Sequence, residues 1–278
     1  MQLPQFYVDG VIQTALQEDI NYLDTTTDLM IPENARSSAC FMAKAEGVVC
    51  GLDVALRVFE LLDPTFTARI LLPEGSDVKP GDRIAELEGN TRFLLKGERT
   101  ALNLLQHLSG VATATRRAVR LVEGTRAAIT DTRKTLPGLR ALQKYAVTVG
   151  GGKNHRFNLS DGAMLKDNHI DAAGGIPQAV AAIRGKLGHM VKLEVETRSL
   201  DEVRQAIEAG ADVIMLDNMD CAAMKEAVAL AAGRVPLEAS GGITDETLRA
   251  VAETGVDIIS IGALTHSVKA LDISMKIQ

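Results

Sequence analysis

"VKLEVETRSLDEVRQAIEAGADVIMLDN", residues 191–218, contains one complete structural unit and the start of the next. The aliphatic runs "VKLEV" (191–195) and "DVIML" (212–216) are of strand length, and between them Leu200, Val203, Ala206 and Ile207 share one face of a helix. Ser199 with Glu202 forms a capping-box pattern that opens this helix, and Gly210 stops it. A strand, a helix and a second strand at this pitch mean parallel strands joined by crossover helices.

The same unit recurs on either side, with runs "AAIT" (127–130), "AML" (163–165), "VPLEA" (235–239) and "DIISI" (257–261). Thr244 opens a further helix, with Leu248, Val251 and Ala252 on one side and Gly255 at its end. The residues that follow five of the runs are Lys166, Glu196, Asp217, Ser240 and Gly262, separated by 30, 21, 23 and 22 residues. An open doubly wound sheet also fits the alternation. Polar residues at successive strand ends converge on one mouth, however, only if the sheet closes into a barrel. Six runs are clear, so the expected barrel falls short of eight strands.

The first hundred residues read differently. "FMAKAEGVVC" (41–50) suggests two short strands, "LDVALRVFELL" (52–62) a helix, and "TARILLPEGSDVKPGDRIAELEG" (67–89) two strands around a Gly-, Pro- and Asp-rich turn region. Residues 97–122 are expected to be helical, with Gly110 as a break between two helices. The fold class is therefore α/β: an N-terminal α/β domain over 1–108, a barrel over 109–266, and a tail, 267–278, that packs back on the first domain.

Composition narrows the function. With 46% hydrophobic residues in 278, the chain can build a well-buried core, and its net charge of −6 argues against general nucleic-acid or membrane-surface binding. No apolar run approaches the roughly 18 residues that span a bilayer, and "MQLPQFYVDG" has no signal-peptide pattern. Cys40, Cys50 and Cys221 lack metal-ligand spacing and read as reduced core thiols of a cytoplasmic protein.

Against this acidic background, Arg126 to His169 carries eight Lys or Arg and only three acids, leaving 22 bases and 33 acids elsewhere. Arg133, Lys134, Lys153, His155, Arg156 and Lys166 flank strand ends and a Gly-Gly-Gly turn, whereas Arg140 and Lys144 lie inside a predicted helix and read as surface. Arginine suits a bidentate grip on carboxylates, and lysine supplies a point charge for phosphate. His155 is either a hydrogen-bond donor fixed in one tautomer or a structural histidine. "ASGGIT" (239–244) and "SIGALT" (260–265) follow the last two runs, where barrel loops bind phosphate through backbone N–H groups; tight turns are the alternative. Glu196 and Asp217 are candidates to hold magnesium, to act as an acid–base pair, or to pair with Lys166. Glu194 and Glu238 occupy interior strand positions whose orientation is left open, and they read as structural partners for the cationic side. A Schiff-base lyase using Lys166 is a competing reading that leaves the arginines unexplained. "EGSDVKPGDRIAELEG" resembles biotinyl and lipoyl carrier domains but lacks the modifiable lysine.

"DTRKTLPGLRALQKYAVTVGGGKNHRFNLSDGAMLKDNHI" (131–170), with "ERTALNLLQHLSG" before it and "LEVE", "MLDN", "EASGGI" and "IGALTHS" after it, resembles the quinolinate phosphoribosyltransferases. The resemblance implies an N-terminal α/β sandwich followed by an incomplete, about seven-stranded α/β barrel. It implies phosphoribosyl transfer from phosphoribosyl pyrophosphate to quinolinate with decarboxylation, giving nicotinate mononucleotide, carbon dioxide and pyrophosphate. By position, Arg133, His155, Arg156 and Lys166 would bind quinolinate, with Arg99 contributed by the neighbouring subunit of a homodimer or larger assembly of dimers. Lys134 and Lys166 would meet pyrophosphate. Glu196 and Asp217 would hold ribose hydroxyls and magnesium and, with Lys166, form the catalytic set. Ser240, Gly241, Gly242 and Gly262 would cradle the 5′-phosphate, with His266 beside it. The runner-up is a sister transferase acting on nicotinate or another aromatic acid.

Overall fold

The computed structural model describes residues 3–277. Met1, Gln2 and Gln278, at the outer ends of the expected first domain and tail, lie outside the described residues. In chain order the strands are β1 (Arg36–Ala43), β2 (Gly47–Val48), β3 (Thr67–Ile70), β4 (Asp77–Val78), β5 (Arg83–Asn90), β6 (Ala128–Thr130), β7 (Ala163–Leu165), β8 (Leu193–Thr197), β9 (Val213–Asp217), β10 (Leu237–Ser240), β11 (Ile258–Ser260) and β12 (Ile273–Ile277). The helices are α1 (Gln5–Asp19), α2 (Thr27–Met30), α3 (Leu52–Leu62), α4 (Thr91–Leu121), α5 (Arg140–Val149), α6 (Asp167–Ala173), α7 (Ile176–Arg184), α8 (Leu200–Ala209), α9 (Cys221–Ala231), α10 (Asp245–Ala252) and α11 (Ala263–His266). The chain divides into two compact units, one of Met1–Arg116, Thr135–Gly151 and Leu264–Gln278, the other of Arg117–Lys134 and Gly152–Ala263. The ranges expected from sequence were 1–108 and 109–266.

The first unit is built on an antiparallel sheet of order β12-β1-β5-β3, with a separate β2-β4 pair. The C-terminal strand β12 pairs with β1 from Ala39↔Ile277 to Ala43↔Ile273. Phe41 on β1 and Phe59 on α3 are both fully buried, with ring centroids 6.2 Å apart. Burying an aromatic side chain of this size contributes about 1.5–3 kcal/mol. The same core takes in Leu105 and Leu108 of α4 and Leu142, Ala146 and Val147 of α5.

Two expectations are corrected here. Gly110 does not break the helix: α4 runs unbroken from Thr91 to Leu121. A Cβ at Gly110 would lie 2.3 Å from the carbonyl oxygen of Lys269, so glycine is needed because the C-terminal segment crosses α4 backbone to backbone. Nor are Arg140 and Lys144 surface residues. Lys144 is 2% exposed and Arg140 is half-buried, with its Nε donating to Thr135 Oγ1 at 3.0 Å, because α5 inserts into the first unit's core.

The second unit is a six-stranded parallel sheet of order β6-β11-β10-β9-β8-β7. The first strand in sequence lies beside the last, the order of a barrel wound in one direction. Lys153 makes a single parallel bridge to Thr130 on the outer side of β6, a residual seventh stave, so the barrel is incomplete as expected. Local signals behave as read: Ser199 Oγ accepts the Glu202 N–H at 3.2 Å, and α8 ends at Gly210. Among the described residues no helix is long and apolar enough to cross a membrane.

Replacing Gly110 by alanine should lower stability by about 1–3 kcal/mol, despite alanine's better helix propensity, because the added methyl meets backbone that cannot rotate away. Denaturant unfolding of Gly110→Ala checks this; an unchanged or higher midpoint would show that the segment at Lys269 gives way.

Candidate active site

Strand side chains alternate, so on each barrel strand one set of alternate residues faces inward. Met164 and Lys166, Glu194 and Glu196, Met215 and Asp217, and Glu238 and Ser240 are each two residues apart. The second member of each pair lies at or beside the end of its strand, and all of these residues except Glu194 line a cavity of about 320 Å³, together with Thr132, Arg133, Lys134, His155, Arg156 and Ser260. A larger cavity of about 650 Å³ lies in the first unit. Arg57 there is paired with Asp9 at 2.8 Å and Glu74 with the Gly51 and Leu52 N–H groups, and most of its lining residues are apolar, so the barrel cavity, with its cations and acids together, is the better reaction site.

Cations line one side of it. After β6, the Lys134 N–H is tied to Thr132 Oγ1 at 3.0 Å, which tightens the turn that carries Arg133 and Lys134. Arg156 donates from Nη1 to the Gly162 carbonyl at 2.7 Å. Burial, and then the positive charge of Arg133, make the charged form of Arg156 harder to hold than usual. Two guanidiniums thus face the same small space. Lys166 follows β7, and its Nζ is 4.0 Å from Glu196 Oε2.

Acids line the other side. Burial raises the Glu196 carboxyl above its usual range, the charge of Asp217 raises it further, and Lys166 partly offsets both. Two hard oxygen donors that repel each other in this way suit a divalent cation of the magnesium type. Beyond Asp217, Asn218 takes a left-handed conformation, φ 54°, donating Nδ2 to Asp217 Oδ2 at 2.9 Å and its backbone N–H to the Ser240 carbonyl at 2.9 Å. Gly241 has φ 94°, and a Cβ there would lie 2.3 Å from Asn218 Oδ1, so both the dihedral and the close approach demand glycine. Ser260 Oγ donates to Ser240 Oγ at 3.1 Å.

Beneath the mouth lies a cluster whose geometry the strand pattern left open. His155 Nε2 is 3.1 Å from Glu194 Oε2 and 3.6 Å from Glu238 Oε1. The three could in principle hold a metal, their ligand atoms lying within 4.8 Å of one another. However, His155 Nδ1 accepts the Arg156 N–H at 2.8 Å. A backbone N–H can only donate, so the hydrogen of the neutral ring is on Nε2, pointing at the acids. Burial and then the Glu194 charge raise Glu238 to about 7, with His155 and a hydrogen bond from Ser260 working against them.

The structure therefore brings together Arg133, Lys134, His155, Arg156, Lys166, Glu196, Asp217 and Ser240 around one cavity. Gly241 and Gly242 follow Ser240, and Gly262 follows β11 by one residue. Arg99 and His266 are exposed residues of the first unit and do not line it. Asn218 and Ser260 were not assigned from sequence, and Glu194 and Glu238 were read only as structural partners for the cationic side. The usable signal was a pair of acids two apart in an otherwise aliphatic strand at 193–197, which places Glu194 directly below Glu196.

Residues 24–109 match the model of the quinolinate phosphoribosyl transferase N-terminal domain, and residues 111–276 that of its C-terminal domain. The chain is 48% identical over 260 residues to a probable nicotinate-nucleotide pyrophosphorylase (carboxylating) of Bacillus subtilis, covering 94% of this chain and 90% of the relative. It is 44% identical over 277 residues to a protein of the same name from Synechocystis, covering 99% of this chain and 94% of that one. A solved structure of NadC from Streptococcus pyogenes superposes with a TM-score of 0.97 at 42% identity, covering 100% of this chain and 99% of that one.

Glu238 favours its neutral form in the fold. Its contribution to stability is fully present below the ordinary glutamate value of 4.5 and is lost as pH rises through about 7. Relative to wild type, Glu238→Gln should therefore be more stable at pH 8 than at pH 5, as read by urea unfolding at both; the same difference at both pH values would count against the raised carboxyl.

Proposed function

The chain belongs to the quinolinate phosphoribosyltransferase family, and we propose that the mouth of its parallel barrel carries out that family's reaction. It transfers phosphoribosyl from phosphoribosyl pyrophosphate to the ring nitrogen of quinolinate with decarboxylation, supplying nicotinate mononucleotide for NAD biosynthesis. The observation that carries the site assignment is the pair of guanidiniums, Arg133 and Arg156, lining one small cavity. A planar substrate with two adjacent carboxylates neutralises both charges and matches the fork geometry of arginine.

Arg133 and Arg156 grip the dianion and set the ring nitrogen towards C1 of the ribose. Lys134 and Lys166 meet pyrophosphate oxygens, Glu196 and Asp217 take the ribose hydroxyls, and Ser240 with the backbone at Gly241, Gly242 and Gly262 holds the 5′-phosphate. Glu196 and Asp217 also fit magnesium, which when bound neutralises charge on the leaving pyrophosphate. The ring nitrogen's electron pair forms the new bond to C1 as the C1–O bond to pyrophosphate breaks. The neighbouring carboxylate then leaves as carbon dioxide, and the electron pair left on the ring carbon takes a proton from Lys166 or a bound water. The chain's contribution is positioning and charge neutralisation.

We further read the enzyme as a homodimer whose sites each borrow Arg99 from the other subunit. The exposed position of Arg99, and its absence from the cavity lining of its own chain, support this. His266, also exposed, would stand beside the phosphate cradle. The three free thiols of Cys40, Cys50 and Cys221 support a cytoplasmic location.

Incubation with quinolinate, phosphoribosyl pyrophosphate and magnesium should release carbon dioxide. Product from nicotinate without carbon dioxide would instead mark a sister transferase. Arg133→Ala and Arg156→Ala should each weaken quinolinate binding by about 1.5–3 kcal/mol while leaving phosphoribosyl pyrophosphate binding nearly unchanged; equal losses for both substrates in a titration would refute the assignment. Mixing inactive Arg99→Ala with inactive Lys166→Ala should restore roughly a quarter of wild-type activity, because half of random dimers are mixed and each has one intact site of two. No recovery despite verified subunit exchange would exclude the borrowed arginine.

A further inference from the structure

We propose that Glu194 and Glu238 are positioning residues for dicarboxylate recognition, acting through His155 to hold Arg156 in its gripping geometry. The inference rests on the functional reading above. Its starting point is the relay beneath the mouth. The Arg156 N–H donates to His155 Nδ1 at 2.8 Å, the His155 N–H donates to Asp131 Oδ1 at 2.8 Å, and His155 Nε2 faces Glu194 at 3.1 Å and Glu238 at 3.6 Å. With Nδ1 occupied by a donor and Nε2–H directed at the acids, the ring's in-plane bonding capacity is committed to the protein. His155 therefore acts on a ligand through what it orients, and Arg156 is the residue it orients.

Packing alone does not account for the two acids. Glu194 is 7% and Glu238 2% exposed, and two carboxyl groups sharing one buried space are costly. Their register partners on the neighbouring strands, Met164 and Met215, show that the same layer of the barrel accepts an apolar side chain. Acids stand at the two positions nearest the imidazole. Glu194 lies within hydrogen-bond distance of Nε2 and Glu238 stands beside it at 3.6 Å, so that a flip would set Nδ1 against a carboxylate and withdraw the acceptor from the Arg156 N–H. Glu194 has a second effect: its negative charge favours the charged form of Arg156 against the repulsion of Arg133. The arrangement resembles the carboxylate–histidine supports that orient groups one step removed from chemistry.

The test compares full-length Glu194→Met, Glu238→Met, Glu194→Gln and Glu238→Gln with wild type, in the presence of magnesium. Kinetics with each substrate varied, thermal unfolding, and the ¹⁵N signature of the His155 tautomer are measured. The methionine variants should raise KM for quinolinate about tenfold or more, with kcat and KM for phosphoribosyl pyrophosphate changed far less, and should lose the Nε2–H signature. The glutamine variants, which keep an oxygen acceptor for Nε2–H, should restore most of the loss. Methionine variants that fold with an unchanged KM for quinolinate would overturn the proposal, as would parallel losses for both substrates. If the methionine variants do not fold, the glutamine variants decide: a glutamine at Glu238 that leaves the tautomer in place but fails to hold KM for quinolinate within a few-fold of wild type also overturns it. A wild-type enzyme that does not turn over quinolinate would instead refute the functional reading, a result distinct from any of these.

Discussion

The acids of the site and the layer beneath them depend on the parity of strands in a curled parallel sheet. One set of alternate residues faces inward, so a group two positions before a strand's end lies directly beneath the group at its end. Glu194 is thereby placed below Glu196, Glu238 below Ser240, Met215 below Asp217 and Met164 below Lys166. The mouth and its floor are consecutive layers of one barrel, and neither can be altered without bearing on the other.

The floor also makes the arrangement of charge at the mouth intelligible. Burial and the neighbouring charge of Arg133 make the charged form of Arg156 harder to hold, which prepares the cavity for an anion. Glu194 beneath them supplies a buried negative charge that tempers the repulsion, while His155 spends its hydrogen-bonding capacity on fixing backbone. On the opposite side, burial and then the charge of Asp217 raise the proton affinity of Glu196, a setting that favours a cation or hydroxyl donors between the two acids. The two halves of the mouth thus want ligands of opposite kind, as the substrates of the family's reaction supply.

The crossover after β6 has a structural consequence beyond the site. Its helix, α5, leaves the barrel and enters the first unit's core through Leu142, Ala146 and Val147, while the chain on either side carries Arg133, Lys134, His155 and Arg156 back to the mouth. The glycine-rich turn that follows α5 is where the chain passes from one core to the other.

Much of this was legible in the sequence, because the signals are local. Strand-length runs, the cap at Ser199, the stop at Gly210 and the polar residue after each run are set within about ten residues, and the motif blocks carried the family. What only the tertiary structure decided involves partners distant in sequence. Gly110 looked like a helix break because its reason for being glycine is the Lys269 carbonyl, which local sequence does not reveal. Lys144 looked like surface because its helix packs into a core built by residues distant in sequence, those of β1, α3 and α4. Glu194 and Glu238 could not be oriented from their own strands. Which face of a strand is inward depends on how the whole sheet curls, and their meaning depends on a histidine delivered by a loop from another part of the barrel.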